Sequence, residues 1–386
     1  MRIGIDGSSW ANERGFGRFT RSLVAALAAR DSAFKYTLLF DQDTGTEIPD
    51  GVDVEFAQSA PASAGASPRS GGQMLRMGAA ARRMQSDVFF FPAVFSYFPV
   101  FSRVPKVMCF HDTIPERFPD LIFPTKRNAM LWRAKTSLAK WQATRAMTVS
   151  QASADDLVDI LSIKRDRIDI VTEGPDPVFA PISQQGVVAQ ARADCGVPEG
   201  AKLLLYVGGF NRHKNVIRLI EAMPQVVAAH PDTYLAIVGR TTGDRFWDNI
   251  DELQAGASQD ARVSDHIGFT GEIDDAKLAA LLNGAEALVF PSLWEGFGLP
   301  AVEAMACHTP VLAADRGSLP EVVGEGGLLF DPTDKDAIAT QITRFLGDDK
   351  LRAELTAAAA RQASRFSWDR AAELTEMSFR RAVGGA

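Results

Sequence analysis

The sequence predicts an α/β chain of two doubly wound, Rossmann-like domains of similar size. Short strand-like apolar runs alternate with helical patterns from end to end, which is the signature of βαβ units and parallel sheets. The length of 386 residues exceeds the roughly 250–300 residues that a single core serves. The pattern lapses between Glu173 and Glu199, where Gly-Pro-Asp-Pro and Ala-Pro-Ile-Ser-Gln-Gln-Gly interrupt the periodicity near the middle of the chain. A linker is expected there.

Strands are expected near 2–5, 36–40, 52–56, 87–91, 105–109, 145–149 and 168–171, then near 202–208, 233–239, 264–270, 286–290 and 309–313. Residues 59–72, rich in Ala, Ser, Pro and Gly, read as a loop. The first domain should span 1–180 and the second 181–365. A helix over 366–386, with Leu374, Met377 and Phe379 on an apolar face and Ser367 as its cap, should return to the first domain. Ligands of open α/β sheets bind beyond the carboxyl ends of the strands, so the site is expected between the two domains.

Composition narrows the function classes. A net charge of −7 argues against a general nucleic-acid binder. Cys109, Cys195 and Cys307 lie far apart and fit neither a disulfide framework nor a Cys-x-x-Cys site, and no two of the five histidines fall within four residues of each other. Met1 leads straight into strand-like Arg-Ile-Gly-Ile, and no apolar run approaches the roughly 18 residues of a bilayer span. The expected location is cytoplasmic.

The strongest motif runs from Pro291 to Ala306, directly after the buried-strand run Ala287 to Phe290. Pro300 suits the first turn of a helix starting near Leu299 or Pro300. Glu295 then lies in the loop and Glu303 in or just beyond the first helical turn, with the N–H groups of Phe297, Gly298 and Leu299 facing any anion at the positive helix end. Two acceptor-only carboxylates flanking such a cluster suit a sugar nucleotide. On spacing alone, a helix-capping loop with dipole-complementing glutamates explains them equally well.

A second motif, Leu204 to Asn215, reads as a strand, a Gly208-Gly209 turn and a helix start carrying Arg212, His213 and Lys214. Glycines let backbone approach a ligand, and cations one turn later neutralise a diphosphate. In the first half, Gly15-Phe16-Gly17-Arg18 precedes a helix and is either a phosphate-holding loop or a plain turn. His111-Asp112 follows the strand ending at Phe110, at a carboxyl edge, where a lone histidine is either a satisfied core residue or part of a site.

The Pro291 to Ala306 segment resembles the two-glutamate motif of the family 4 glycosyltransferases, and the likeness extends from Leu204 to about Asp331 and more loosely over most of the chain. That resemblance implies the GT-B fold and a retaining transfer of a hexose from a nucleotide-diphosphate sugar to a hydroxyl of a saccharide or lipid-linked acceptor. It implies that Glu295 bonds the donor sugar, that Glu303 holds the ribose, and that Phe297, Gly298 and Leu299 offer N–H groups. Arg212 and Lys214 would stabilise the departing diphosphate, with His213 as an extra donor, and Gly208, Gly209 and Arg240 would complete the donor side. His111 would lie at the reaction centre, with Gly15, Phe16, Gly17 and Asp112 on the acceptor side.

No cofactor or metal is expected. The Asp41-Gln42-Asp43 triplet sits in the half without nucleotide signals and is set aside as a cation site. The sequence around His111-Asp112-Thr113-Ile114-Pro115 looks like that of bacterial mannosyltransferases of surface polysaccharides, which makes GDP-mannose the first choice of donor. The alternatives are a GT-B nucleotide-sugar epimerase and a non-catalytic sugar-nucleotide binder. Between Leu121 and Ala154 there is no acidic residue, while Lys126, Arg127, Arg133, Lys135, Lys140 and Arg145 alternate with Trp132 and Trp141. Segment 121–147 is therefore either a solvated helix with inward tryptophans or a peripheral contact with the inner membrane face.

Overall fold

In the computed structural model, residues 1–12, 15–43, 45, 47–57, 71–241 and 249–384 are described. The chain divides into two units: 1–117, 125–173 and 367–386 form the first, and 118–124 with 174–366 form the second. Most of the expected loop at 59–72 lies outside the described residues.

Unit 1 holds β1 (Arg2–Asp6), β2 (Lys35–Phe40), β3 (Val52–Phe56), β4 (Val88–Phe91), β5 (Lys106–Cys109), β6 (Arg145–Thr148) and β7 (Ile168–Ile170). They form one parallel sheet in the order β3-β2-β1-β4-β5-β6-β7. Val88-Phe89-Phe90-Phe91 and Lys106-Val107-Met108-Cys109 are buried throughout, as strands covered on both faces must be. Unit 2 holds β8 (Lys202–Val207), β9 (Thr233–Val238), β10 (Ile267–Gly271), β11 (Ala287–Phe290), β12 (Val311–Ala314) and β13 (Gly327–Phe330), in the order β10-β9-β8-β11-β12-β13. In each sheet the strand order reverses beside the unit's first strand, between β1 and β4 and between β8 and β11. Crevices of doubly wound sheets open at such switch points.

Three expectations need correction. β13 has no counterpart in the sequence reading, because Gly324-Glu325-Gly326-Gly327 reads as turn punctuation and the strand is only partly buried. The expected strand at 264–270 begins only at Ile267, since Ser264–His266 forms a 3₁₀ turn. Within the interval expected to be a linker, Gln185–Asp194 forms a helix with Val188 and Ala191 buried.

The last helix, Trp368–Gly384, belongs to unit 1. Ser367 Oγ accepts the N–H of Arg370 at 3.2 Å, capping its first turn. Its buried face differs from the expected one. Leu374 and Met377 are half-buried, whereas Ala371, Ala372, Thr375, Glu376, Ser378 and Phe379 are buried. The polar members stay inside because each finds a partner. Ser378 Oγ donates to Asp169 Oδ2 at 2.7 Å, and Tyr36 OH donates to Glu376 Oε1 at 3.1 Å. Asp169 also accepts from Arg145 Nε at 2.5 Å and from Arg381 at 2.6 Å. Burial raises the Asp169 pKa, but the bonds from Arg145, Ser378 and Arg381 outweigh it and leave the carboxyl below its ordinary range.

Phe379 has no exposed surface and packs its ring against Phe90 and Phe34, with centroids 5.4 and 6.3 Å away. Phe379→Ala should lower the stability of unit 1 by about 3–5 kcal/mol, the usual range for emptying a buried phenylalanine site. The shift in urea midpoint measures it, and a loss below about 1 kcal/mol would mean that the helix contributes little to the core.

Candidate functional site

In unit 2, the loops after β8 and β11 meet at the switch point and are latched together. Leu293 N–H donates to His213 O at 2.8 Å. Asn215 Nδ2 donates to Pro291 O at 3.0 Å and Pro332 O at 2.8 Å. Lys214 Nζ donates to both carboxylate oxygens of Glu295, at 2.7 and 2.9 Å. Lys214 therefore reaches a partner far along the chain, and Glu295, with little exposed surface, is neutralised by it.

The glutamate loop is held from below. Ser318 Oγ is fully buried and within hydrogen-bond reach of Glu295 O at 3.1 Å and Phe297 O at 2.8 Å. Gly298 has φ +97°, and a Cβ there would meet Leu319 Cδ2 at 2.9 Å, so the turn into the helix Leu299–Ala306 requires glycine. The amides of Phe297, Gly298 and Leu299 have no hydrogen-bond partner among the described residues. They precede a helix N-terminus, where such donors favour an anion. Glu303 is buried on that helix, and burial together with Glu303 pushes the Cys307 thiol, four residues on, up to about 12.

The glycine turn is fixed by Tyr206, whose OH donates to Gly209 O at 2.6 Å beside Gly208. Arg212 and Arg240 turn to other carboxylates, Arg212 to Glu252 at 2.8 Å and Arg240 to Glu272 at 2.9 Å. Both pairs are exposed. Such pairs are worth about 0–1 kcal/mol, so either guanidinium can leave for a better anion. His213 is a different group from its neighbours. Burial, with Lys214 beside it, lowers its pKa to about 4, so at neutral pH it adds no third positive charge.

In unit 1, Gly15 and Phe16 open the helix Gly15–Ala29, and a Cβ on Gly17 would lie 1.7 Å from Asn12 O. The Phe16 and Phe19 rings contact His111 edge-on, with centroids 5.1 and 4.5 Å away. Asp112 Oδ1 accepts the N–H of Ile114 at 2.9 Å and so starts the short helix after it. Of the candidate residues here, the fold gathers Phe16 and His111.

His111 has one hydrogen-bond partner and one nearby carboxylate. Its Nε2 lies 2.8 Å from Pro92 O, and its Nδ1 lies 3.6 Å from Glu173 Oε1, with both side chains buried. A carbonyl cannot donate, so Nε2 carries a proton toward Pro92, and the carboxylate facing Nδ1 favours a second one. Burial alone works against the charge; Cys109 and the Glu173 carboxylate outweigh it and hold the His111 pKa well above the ordinary 6.5. The carboxylate facing Nδ1 thus favours the protonated ring against the effect of burial.

Glu173, Asn215 and Ser318 were not identified from the sequence. Glu173 follows β7 at the same carboxyl edge as His111, which is the signal that would have found it. Asn215 stands at φ 58°, a conformation that asparagine tolerates better than most residues. For Asp43, the structure gives a local role, with Oδ1 accepting the N–H of Gly45 at 2.9 Å.

Known proteins resemble this chain in both halves. A family model described as Glycosyl transferases group 1 matches residues 188–362, and one described as Glycosyltransferase Family 4 matches residues 14–179. The chain is 32% identical over 232 residues to O-antigen chain mannosyltransferase B of Escherichia coli, covering 58% of this chain and 57% of that one. It spans little more than half the length of the first curated relatives it matches. Sucrose-phosphate synthase from Thermosynechococcus elongatus superposes with a TM-score of 0.78 at 21% identity, covering all of both chains. Anabaena HepE in complex with UDP and glucose superposes with a TM-score of 0.75 at 20% identity, covering 98% of each. These likenesses establish the GT-B fold.

Glu173→Gln keeps shape but removes the charge facing Nδ1. The wild-type imidazole should titrate well above 6.5, so any stability it adds is complete below that pH and is lost as pH rises through the folded value. NMR titration of His111 should show its pKa falling in the variant. An unchanged titration would remove Glu173 as a cause.

Proposed function

Because the chain belongs to the family 4 glycosyltransferases, we propose that it moves a hexose from a nucleotide-diphosphate sugar to a hydroxyl of a saccharide or lipid-linked acceptor, retaining the anomeric configuration. The observation that carries this reading is the Lys214–Glu295 pair beside the free amides of Phe297, Gly298 and Leu299 at the switch point of unit 2. It offers a cation and N–H donors to a diphosphate, and a carboxylate to sugar hydroxyls, within one pair of loops.

In the proposed reaction the diphosphate engages Lys214, and Arg212 leaves its exposed partner Glu252 to join it. Glu295, relieved of part of its lysine contact, accepts from the donor sugar, and Glu303 accepts from the ribose. The bond from the anomeric carbon to the phosphate oxygen breaks as the acceptor oxygen attacks from the same face. The acceptor proton passes to a leaving-group oxygen, giving the glycoside and a nucleoside diphosphate. No carboxylate acts as a covalent nucleophile.

GDP-mannose is the donor we favour, supported by the likeness to a mannosyltransferase of O-antigen chains. A thermal-shift panel of GDP-mannose, UDP-glucose and UDP-N-acetylglucosamine, followed by turnover with and without acceptor, tests it. Altered sugar released without an acceptor would instead make the chain an epimerase, and binding without any turnover would make it a sensor.

Two outcomes check the chemistry. Lys214→Met should abolish transfer and weaken nucleoside diphosphate binding by about ten- to a hundredfold, the range of a lost charge-assisted hydrogen bond. Binding of the nucleoside alone should change by less than about twofold. Equal losses for both ligands would remove the diphosphate assignment. Since the leaving group is assigned to Arg212 and Lys214, full activity should also persist in excess chelator; activity lost there and restored by magnesium or manganese would overturn that assignment.

A further inference from the structure

We infer that the helix Lys126–Gln142 is a docking face for an anionic lipid surface. Its outward side carries Met130, Ala134, Leu138 and Trp141, spaced to form one stripe along a helix, with Leu131 beside them. Trp141 is 74% exposed and Met130 64%, and Leu131 is exposed as well. Solvated large side chains scattered singly need no explanation, but a contiguous stripe on one helix does.

A line of cations, Lys126, Arg133 and Lys140, runs along one side of this stripe, and Arg127 falls within it. Lys126, Arg127 and Arg133, all exposed, form none of the ion pairs seen among the described residues, in contrast to Arg117 and Arg145 nearby. The helix has no acidic residue in a chain of net charge −7, so positive charge is concentrated on this face. Val100 N–H donates to Gln142 Oε1 at 3.1 Å, which brings the loop of exposed Phe101 and Arg103 to the carboxyl end of the stripe.

The structure also corrects the extent of the face. Arg145 lies on β6, buried and paired with Asp169, and takes no part in it. Trp132 turns inward, donating from Nε1 to Glu116 Oε1 at 2.7 Å, while Trp141 points out. Lys135 and Lys140 fold back onto the protein, Lys135 donating to Phe95 O and Lys140 to Leu161 O at 2.8 Å, so Lys126, Arg127 and Arg133 carry the outward charge.

Charge decides the occupant. A second copy on the same face would set Lys126, Arg127 and Arg133 against their own equivalents. A nucleic acid would leave the apolar stripe in water. An interface of anionic headgroups over acyl chains satisfies both halves at once. Among the described residues no helix is long and apolar enough to cross a membrane, so the contact is made from the side.

Flotation of the full chain with phosphatidylglycerol-containing vesicles tests this, with phosphatidylcholine vesicles as the neutral arm. Binding should require the anionic lipid and fall as salt rises. It should weaken about fivefold for each cation removed in the series Lys126→Ser, Arg127→Ser and Arg133→Ser. Trp141→Ser should also weaken it, while melting temperature and nucleoside diphosphate binding stay as in the wild type. In the wild type the emission of Trp141 should shift to the blue on vesicles, with Trp141→Phe as the control. Binding that ignores lipid charge would overturn the inference. So would absence of vesicle binding together with a dimer that Trp141→Ser dissolves.

Discussion

Lys214 and Glu295 come from loops after different strands, and their two short hydrogen bonds bind those loops at the point where the sheet of unit 2 reverses its order. The pair is mostly shielded from water, so each charge depends on the other: removing one leaves the second uncompensated in a poorly solvated place. Its surroundings serve that dependence. Asn215 and the Leu293–His213 bond hold the same loops in backbone register, and Ser318 supports the glutamate loop from the other side. A diphosphate entering the proposed site would replace one anion beside Lys214 with another. The net charge around the lysine would change little, and the glutamate would become available for uncharged hydroxyls.

Unit 1 treats its charged residue in a comparable manner. His111 is enclosed by the edges of two phenylalanine rings, and its two nitrogens face a carbonyl and a carboxylate. Cys109 and the Glu173 carboxylate raise its pKa against the opposing effect of burial. His213 sits in the opposite condition, neutral because it is buried next to a cation. The pKa values of two histidines in one chain are thus moved in opposite directions, and in each case the immediate neighbours explain why.

Alternation of strand-like and helical runs made both sheets legible from the sequence, because strands buried on both faces leave continuous apolar segments such as Val88 to Phe91 and Ala287 to Phe290. β13 escaped because glycines lead into it and it lies at the edge of its sheet. The glutamate loop and its lysine were legible as types at a spacing, but their bond to each other was not, since it joins residues 81 positions apart. Glu173 was hidden for a related reason: its role exists only once β7 is laid two strands from β5. The inward and outward tryptophans of the basic helix could be separated only once Glu116 was seen to take the first of them.

Asn215 carries two requirements that are seldom met together. Its backbone is left-handed, and its side-chain amide donates to two carbonyls that belong to different loops. Glycine would accept the backbone but supply no donor. Aspartate would tolerate the backbone yet set a carboxylate against two acceptors. A saturation library at this codon should therefore leave asparagine nearly alone among active clones, and the usual exchanges for asparagine would be absent from them.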